Sequence, residues 1–130
     1  MIIKIQPDKQ KATSLSMMAM VTMQRLKEID LEKYPSNTLL DYYCIIHKLM
    51  EAIALGAGIK TSGEGAHKEL INYIVENYGF EENILVFLQQ MRDYRNRISY
   101  EGFIVNRNYI LLNNDKILTI INKLNKIIKT

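Results

Sequence analysis

Residues 38–57 read TLLDYYCIIHKLMEAIALGA, and this apolar segment governs how the other parts of the chain can pack. Its apolar residues recur at spacings of three and four, which is the periodicity of an α-helix. They cover most of the helix surface: Leu39, Tyr42, Tyr43, Ile46, Leu49, Met50, Ile53 and Ala57. A helix that is apolar on most sides is buried on most sides. The sequence therefore predicts a central helix from about Thr38 to Ala57.

The signals before and after this segment predict where the neighbouring structure begins. Pro7-Asp8 favours the start of a first helix, whose apolar stripe runs to about Asp30. Ser36 or Asn37 can cap the central helix through a side-chain oxygen. Gly58 can end that helix in the left-handed conformation that glycine adopts readily.

Two more helices are predicted in the next part of the chain. Residues 59–66 form a glycine-containing connector, which lacks the spacing of a phosphate-binding loop. His67 opens a third helix with a short apolar face that ends at Gly79. The acidic pair at 81–82 favours the positive end of a fourth helix, which stops before Gly102.

Residues 103–111 allow two interpretations. In the first, an extended start leads to a short helical turn capped by Asn106. In the second, a small hairpin turns at residues 106–108. Residues 113–115, Asn-Asn-Asp, are capping residues and predict the start of the last helix. Altogether the pattern predicts an all-α, up-down bundle of four main helices plus a short fifth.

Composition sets the broad class of the protein. With 130 residues, 48% hydrophobic and 24% charged, residues 1–130 are expected to form a single domain. A lone cysteine, Cys44, cannot form an internal disulfide, so a cytoplasmic location is expected. No apolar run approaches the ~18 residues of a membrane span, so no membrane partner is expected. A net charge of +3 permits a nucleic-acid partner without requiring one.

In the first three helices, the residue types that often bind metals or ligands are expected to have ordinary structural roles. The methionines at 17–23 broaden the stripe of the first helix, which indicates core packing or a subunit interface. Asp41 and Glu51 lie on a mostly apolar helix, where downstream arginines are available as partners. His47 has no second histidine at helical spacing, and His67 is expected at the surface. The sequence predicts no metal site and no cofactor.

The strongest candidate site is residues 88–102, LQQMRDYRNRISYEG. Arg95 falls on the apolar stripe of the fourth helix, where a guanidinium group needs an acid, solvent at an interface, or a polar cleft. Helical geometry directs Arg92, Arg95, Asn96 and Ser99 into one sector, with Tyr100 at its edge. The alternative is that Arg95 and Asn96 only tie helix ends together. The basic face of the last helix is expected to be solvated, with an RNA-facing patch as the alternative.

Several segments resemble those of HEPN domains, a helical family named for nucleotide binding in higher eukaryotes and prokaryotes. The resemblance covers most of the chain. It comprises the lysine- and methionine-rich first helix, the apolar second helix that ends in small residues, the connector Gly58-Ile59-Lys60, residues 67–71, and above all residues 91–100. The resemblance implies a homodimer, and a nucleotidyltransferase-like protein as a further partner.

Active members of that family resemble metal-independent RNases with an arginine, often a polar neighbour, and a histidine four to six residues later. Here Arg95 and Asn96 match the first two, and the histidine position falls on Tyr100, or on Ser99 when counted from Arg92. No histidine follows residue 67. The resemblance thus implies a degenerate motif. Its candidate catalytic residues are Arg95, Asn96 and Tyr100, and its candidate binding residues are Arg92, Arg97 and Ser99.

Three functions follow from these observations. The preferred hypothesis is a protein that acts by binding RNA, a nucleotide or its partner protein, without catalysis. The second is an active metal-independent endoribonuclease, a toxin of a toxin–antitoxin system, whose proton is supplied by Tyr100 or by a histidine from elsewhere in the chain. The third is an interaction bundle in which Arg95 has a purely structural role.

Overall fold

The computed structural model describes residues 1–129 and shows an all-α fold with a small two-stranded sheet. The predicted fold class is therefore confirmed, and the shortest helix has 12 residues. The elements are β1 (Ile2–Lys4), α1 (Lys9–Leu26), α2 (Pro35–Gly56), β2 (Ile59–Thr61), α3 (Ala66–Asn77), α4 (Glu82–Glu101) and α5 (Arg107–Lys129).

Helix α2 lies at the centre of the structure, as its sequence predicts. It packs against each of the other four helices. Its apolar residues are almost inaccessible to solvent, with Leu39 and Ile46 both 0% exposed. Burial of side chains of this size stabilises the fold by about 1.5–3 kcal/mol each. The bundle is therefore held together mainly through α2.

The starts of the first two helices differ in how well the sequence predicts them. The carboxylate of Asp8 accepts a hydrogen bond from the backbone N–H of Lys11 at 3.0 Å, and this caps α1. The predicted cap of α2 is wrong, because α2 begins at Pro35 without a side-chain cap. The Ser36 hydroxyl instead accepts a hydrogen bond from the backbone N–H of Val105 at 3.0 Å. Helix α1 also ends at Leu26, earlier than the expected Asp30.

Helix α5 is longer than predicted. It begins at Arg107 and continues through residues 113–115, so the predicted helix start at those residues is wrong, and so is the hairpin. Asn106 does act near the start of the helix, where its side-chain oxygen accepts the backbone N–H of Asn108 at 2.8 Å. Ile110 is 1% exposed in a second apolar cluster with Leu39 and Val105. This burial outweighs the low helix propensity of the asparagines.

The small sheet ties the start of the chain to the end of α2. Strands β1 and β2 are antiparallel, and Ile3 lies opposite Lys60. The connector predicted after α2 is thus partly a strand. Gly58 has a φ of 77°, and a Cβ atom there would lie 2.8 Å from the backbone oxygen of Ile5. Only glycine fits this turn without strain.

A membrane span was not expected from the sequence. Within residues 1–129, no helix has both the length and the apolar character needed to cross a bilayer.

Candidate functional site

The predicted site residues of α4 lie in three different environments. Arg92, Arg95 and Asn96 are half-buried, beyond the fully buried Met91. Arg97 lies over the ring of Phe103, 4.0 Å from its centroid. The final turn is exposed, with Ser99 at the surface and Tyr100 79% exposed. The structure therefore keeps Asn96 with Arg92 and Arg95, and separates these three from Ser99 and Tyr100.

Neither of these two arginines is neutralised by an acidic side chain. The Nε of Arg92 donates to the side-chain oxygen of Gln89 at 2.9 Å, and the Nη1 of Arg95 donates to that of Asn96 at 3.0 Å. Among residues 1–129, the arginines that form ion pairs with acidic side chains are Arg25 and Arg107. One of them, Arg25, lies 2.7 Å from Asp41. The prediction that Asp41 pairs with a downstream arginine is therefore wrong.

Three aromatic rings from α2 and α3 lie beside these arginines. His47 and His67 stack with their ring centroids 4.0 Å apart and their planes 30° apart. Tyr43, one turn before His47, stacks against both at about 6 Å. Its hydroxyl oxygen lies 3.3 Å from Nδ1 of His67. We call Tyr43, His47, His67, Arg92 and Arg95 the His–Arg cluster.

Electrostatic coupling links the rings to the arginines. The pKa of His47 is lowered from 6.5 to about 4, mainly by burial. The nearby charges of His67, Lys48 and Arg95 contribute to the same shift. The pKa of His47 therefore keeps its imidazole neutral at pH 7, and a lowered pKa favours the neutral form of His67 as well.

The pKa of His67 is shifted by a mixture of effects. Burial and the charge of Arg95 lower it below 6.5, Glu51 opposes this, and Arg92 adds to the lowering. Glu51 thus acts on the His–Arg cluster as a nearby negative charge. Its influence on His67 is smaller than that of Arg95.

Tyr43 remains protonated across the physiological range. Burial raises its pKa to about 12, although the charges of Arg92 and Arg95 act in the opposite direction. The phenol oxygen can accept a hydrogen bond from Nδ1–H of His67, which leaves Nε2 of that neutral imidazole free to accept a proton. Tyr43 is therefore placed to select the tautomer of His67.

The chemistry of the cluster suits a phosphate group. Guanidinium groups bind phosphate oxygens through charge-assisted hydrogen bonds. A neutral imidazole can accept a proton from a hydroxyl group near neutral pH. The cluster combines two arginines with two such imidazoles. A resident metal is less well matched, since no group of three or more His, Cys, Asp or Glu side chains in residues 1–129 could hold one.

Sequence reasoning found the arginines of this site and missed the histidines. His67 was expected at the surface, and the structure places it half-buried against His47. The two histidines are twenty residues apart and lie on different helices, so no local spacing reveals their contact. Tyr100, the residue at the motif's histidine position, makes no hydrogen bond or ring contact with the cluster in the described part of the chain.

Comparison of the chain with protein-family models, with curated proteins and with solved structures gave no match.

Proposed function

We propose that this chain is a HEPN-like protein that binds RNA or a nucleotide through a phosphate group at the His–Arg cluster. The observation that carries the proposal is the pair of half-buried arginines without an acidic partner. Removing a guanidinium charge from water is costly unless an anion compensates it. A phosphate oxygen between Arg92 and Arg95 would supply that compensation.

The contacts of Arg95 argue against a purely structural role. A structural arginine would connect separate elements, as Arg107 of α5 does when it pairs with Glu32 in the α1–α2 loop. The hydrogen bond of Arg95 instead goes to Asn96, its neighbour on the same helix. Its guanidinium group is thus oriented by α4 and coupled electrostatically to the rings of α2 and α3. Such an arrangement prepares a binding group.

The proposal is tested by RNA binding at low salt. Fluorescence anisotropy with a labelled single-stranded RNA should show binding that weakens by about 10-fold or more in Arg95→Gln and in Arg92→Gln, since a hydrogen bond to a charged group is worth about 1.5–3 kcal/mol. Each substitution should also reduce the dependence of affinity on salt by roughly 0.7 in the logarithmic slope.

The matched control is Arg107→Gln, which removes the same charge from an exposed arginine outside the cluster. It should leave the affinity within about 2-fold of the original. Equal losses in all three variants would show that only overall charge matters. No binding of RNA or of a nucleotide at low salt would contradict the proposal.

A second function, metal-independent RNA cleavage, is favoured by the position of His67. Burial and the charge of Arg95 lower the pKa of this imidazole, which favours its neutral form, and it lies within the same cluster as Arg95. It could take the proton of a ribose 2′-hydroxyl while the 2′-oxygen attacks the phosphorus atom. The bond to the 5′-oxygen then breaks, water protonates that oxygen, and a 2′,3′-cyclic phosphate forms. The hydroxide that water leaves behind then takes the proton held by His67, which restores the neutral imidazole.

Cleavage of RNA in the presence of EDTA tests this second function. His67→Gln should lower the rate by about 100-fold, since general base catalysis contributes about 10²–10⁴-fold. Tyr100→Phe should leave the rate unchanged, because Tyr100 is exposed and outside the cluster. If Tyr100→Phe abolishes cleavage and His67→Gln does not, the degenerate motif itself is the catalyst. If no RNA is cleaved, the protein acts by binding alone.

The proposal also includes association with a second copy of the chain or with a nucleotidyltransferase-like partner, in the cytoplasm and as part of a toxin–antitoxin pair. The HEPN-like segments support this part. Light scattering on the purified protein tests the homodimer, and co-purification with the product of an adjacent nucleotidyltransferase gene tests the partner. A monomer that fails to bind such a product would contradict it.

A further inference from the structure

A continuous groove separates α1 from α5 on the side of the bundle opposite the rings of the His–Arg cluster on α2. It consists of two adjoining cavities of about 710 Å³ and 570 Å³. The cavities share Ser16 and Met20 of α1 and Ile128 of α5. Helix α2 forms the floor. The described residues therefore outline one elongated channel rather than two isolated hollows.

The length of the groove matches a helix. Its lining runs along α1 from Lys9 to Lys27. At 1.5 Å per residue this is about 27 Å, the length of a helix of roughly 18 residues. The floor beside the first cavity includes two small residues, Ala52 and Gly56, beside Ile53, and the small residues allow another backbone to approach closely.

The α1 wall of the groove exposes an unusual amount of apolar surface. Met17 is 62% exposed and Met20 is 60% exposed, and both line the first cavity. Met18 and Val21 continue this apolar surface, at 51% and 57% exposed. Methionine side chains adapt their shape to a partner, and they are frequent at surfaces that receive helices. Contiguous exposed apolar patches of this kind mark interaction sites.

The charge of the groove is positive along its rim. Helix α1 carries Lys9, Lys11 and Arg25 and no acidic residue. Helix α5 carries five basic residues and a single acidic one, Asp115. Four lysines line the cavities themselves, and they are Lys9, Lys27, Lys126 and Lys129. The chain as a whole has a net charge of only +3, so this face is more basic than the rest.

We infer that this groove binds an amphipathic helix of a partner protein, with an apolar face seated against Met17, Met20 and Ile128 and acidic residues directed at the lysine rim. The apolar floor provides affinity, and the lysines set which helices are accepted. A second copy of the same groove would bring lysines against lysines, which disfavours a symmetric dimer through this face. The inference is independent of phosphate binding, because none of the cluster residues lines the groove.

RNA is a poorer match for the groove. A phosphate backbone would gain from the lysines, but the methionine and isoleucine side chains between them offer phosphates and base edges no hydrogen bonds. Placing RNA there would leave the apolar floor exposed to water. The occupant that satisfies both the floor and the rim is an acidic amphipathic helix.

The experiment uses the full chain and synthetic helical peptides of 18 residues. The probe has leucines on one face and glutamates along both flanks of that face, and it is stabilised by a side-chain staple. One control peptide replaces the glutamates with lysines, and another scrambles the leucine positions. Fluorescence anisotropy should show saturable binding of the glutamate peptide, and binding at least 10-fold weaker for both controls.

A matched pair of variants locates the binding. Met20→Glu places a carboxylate in the groove and should weaken binding of the glutamate peptide at least 10-fold. Val86→Glu makes a similar change on α4, at an apolar residue that is 66% exposed, and should leave binding unchanged. Circular dichroism should show both variants folded, since each position is already exposed.

Three results would overturn the inference. The first is absence of saturable binding by the glutamate peptide. The second is binding that Met20→Glu and Val86→Glu affect equally, which would show nonspecific adhesion. The third is light scattering that shows a dimer which Met20→Glu alone converts to a monomer, because the groove would then hold a second copy of the chain.

Discussion

At the scale of single residues, the burial of His47 makes the stability of the fold depend on pH. Burial, with the charges of His67, Lys48 and Arg95, lowers the pKa of His47 from 6.5 to about 4. Between these values the unfolded chain binds more protons than the folded protein, so acid favours unfolding. This contribution to stability is complete above pH 6.5 and is lost as the pH falls toward 4.

The size of this effect can be measured. At about pH 5, protonation of His47 in the unfolded chain lowers the free energy of unfolding by about 2 kcal/mol. Urea denaturation at about pH 7.5 and pH 5 should show a smaller loss in His47→Gln than in the original protein, by about that amount. Because both proteins contain the same carboxylates, the difference isolates the histidine. Equal losses would mean that His47 is not protonated on unfolding in this range.

Two tyrosines provide a second prediction at this scale. The hydroxyl of Tyr109 is buried without a hydrogen-bond partner among the described residues. The hydroxyl of Tyr42 donates to the side-chain oxygen of Asn114 at 2.5 Å. Tyr109→Phe should therefore leave the free energy of unfolding unchanged or raise it by about 1 kcal/mol, whereas Tyr42→Phe should lower it by about 1 kcal/mol. Urea denaturation of the two variants measures both. A large loss in Tyr109→Phe would reveal a partner for that hydroxyl.

At the scale of elements, the continuity of α5 through its asparagines can be tested by substitution. If Asn113 were a helix cap, replacing it with alanine would cost about 1 kcal/mol. Because it lies inside α5, Asn113→Ala should instead change the free energy of unfolding by less than about 0.5 kcal/mol, since the gain in helix propensity offsets the loss of the hydrogen bond that its side-chain amide donates to the carbonyl oxygen of Tyr109. Thermal unfolding followed by circular dichroism measures the change.

The neighbouring residue is the control for this prediction. Asn114→Ala makes the same change in propensity but removes the acceptor of the Tyr42 hydroxyl. It should therefore lower the free energy of unfolding by about 1 kcal/mol, since a buried hydroxyl loses its partner. Losses in both variants would indicate that the helix begins near these residues, as the sequence alone suggests.

The same elements show which features of the fold the sequence could reveal. The position and burial of α2 follow from its local apolar periodicity, which is strong enough to predict without knowing its neighbours. Local periodicity does not predict the start of α5, because that start depends on the packing of Ile110 against Leu39 and Val105. Residues 106–115 contain polar capping residues whose local preference favours a break, and a contact with a distant part of the chain overrides it.

The sequence likewise reveals only part of the candidate site. Arg95 could be identified from its place on the apolar stripe of one helix, because a charge there is unusual within a local pattern. The stacked pair of His47 and His67 could not, since it arises where α2 and α3 meet. The proposed replacement of Tyr100 by His67 as the proton acceptor therefore depends on tertiary structure. A motif search along the chain would continue to select Tyr100.

At the scale of the whole molecule, α2 separates the two proposed binding surfaces. Tyr43 and His47 project toward α3 and α4, whereas Ile45 and Leu49 line the groove between α1 and α5. The two pairs are offset by two residues along the helix. At about 100° per residue this offset is about 200°, so the pairs lie on opposite sides of α2. The side chains between the two surfaces form the closely packed core.

This arrangement predicts that the two surfaces bind independently. Substitutions that share no partners usually have additive effects, within about 0.5 kcal/mol. Arg95→Gln should weaken RNA binding without changing the affinity for the acidic helical peptide, and Met20→Glu should do the reverse. The double variant should show both losses, each equal to that of its single variant. If saturating peptide changed the affinity for RNA more than about 3-fold, α2 would have to shift between two packed positions, and the two surfaces would not be rigidly separated.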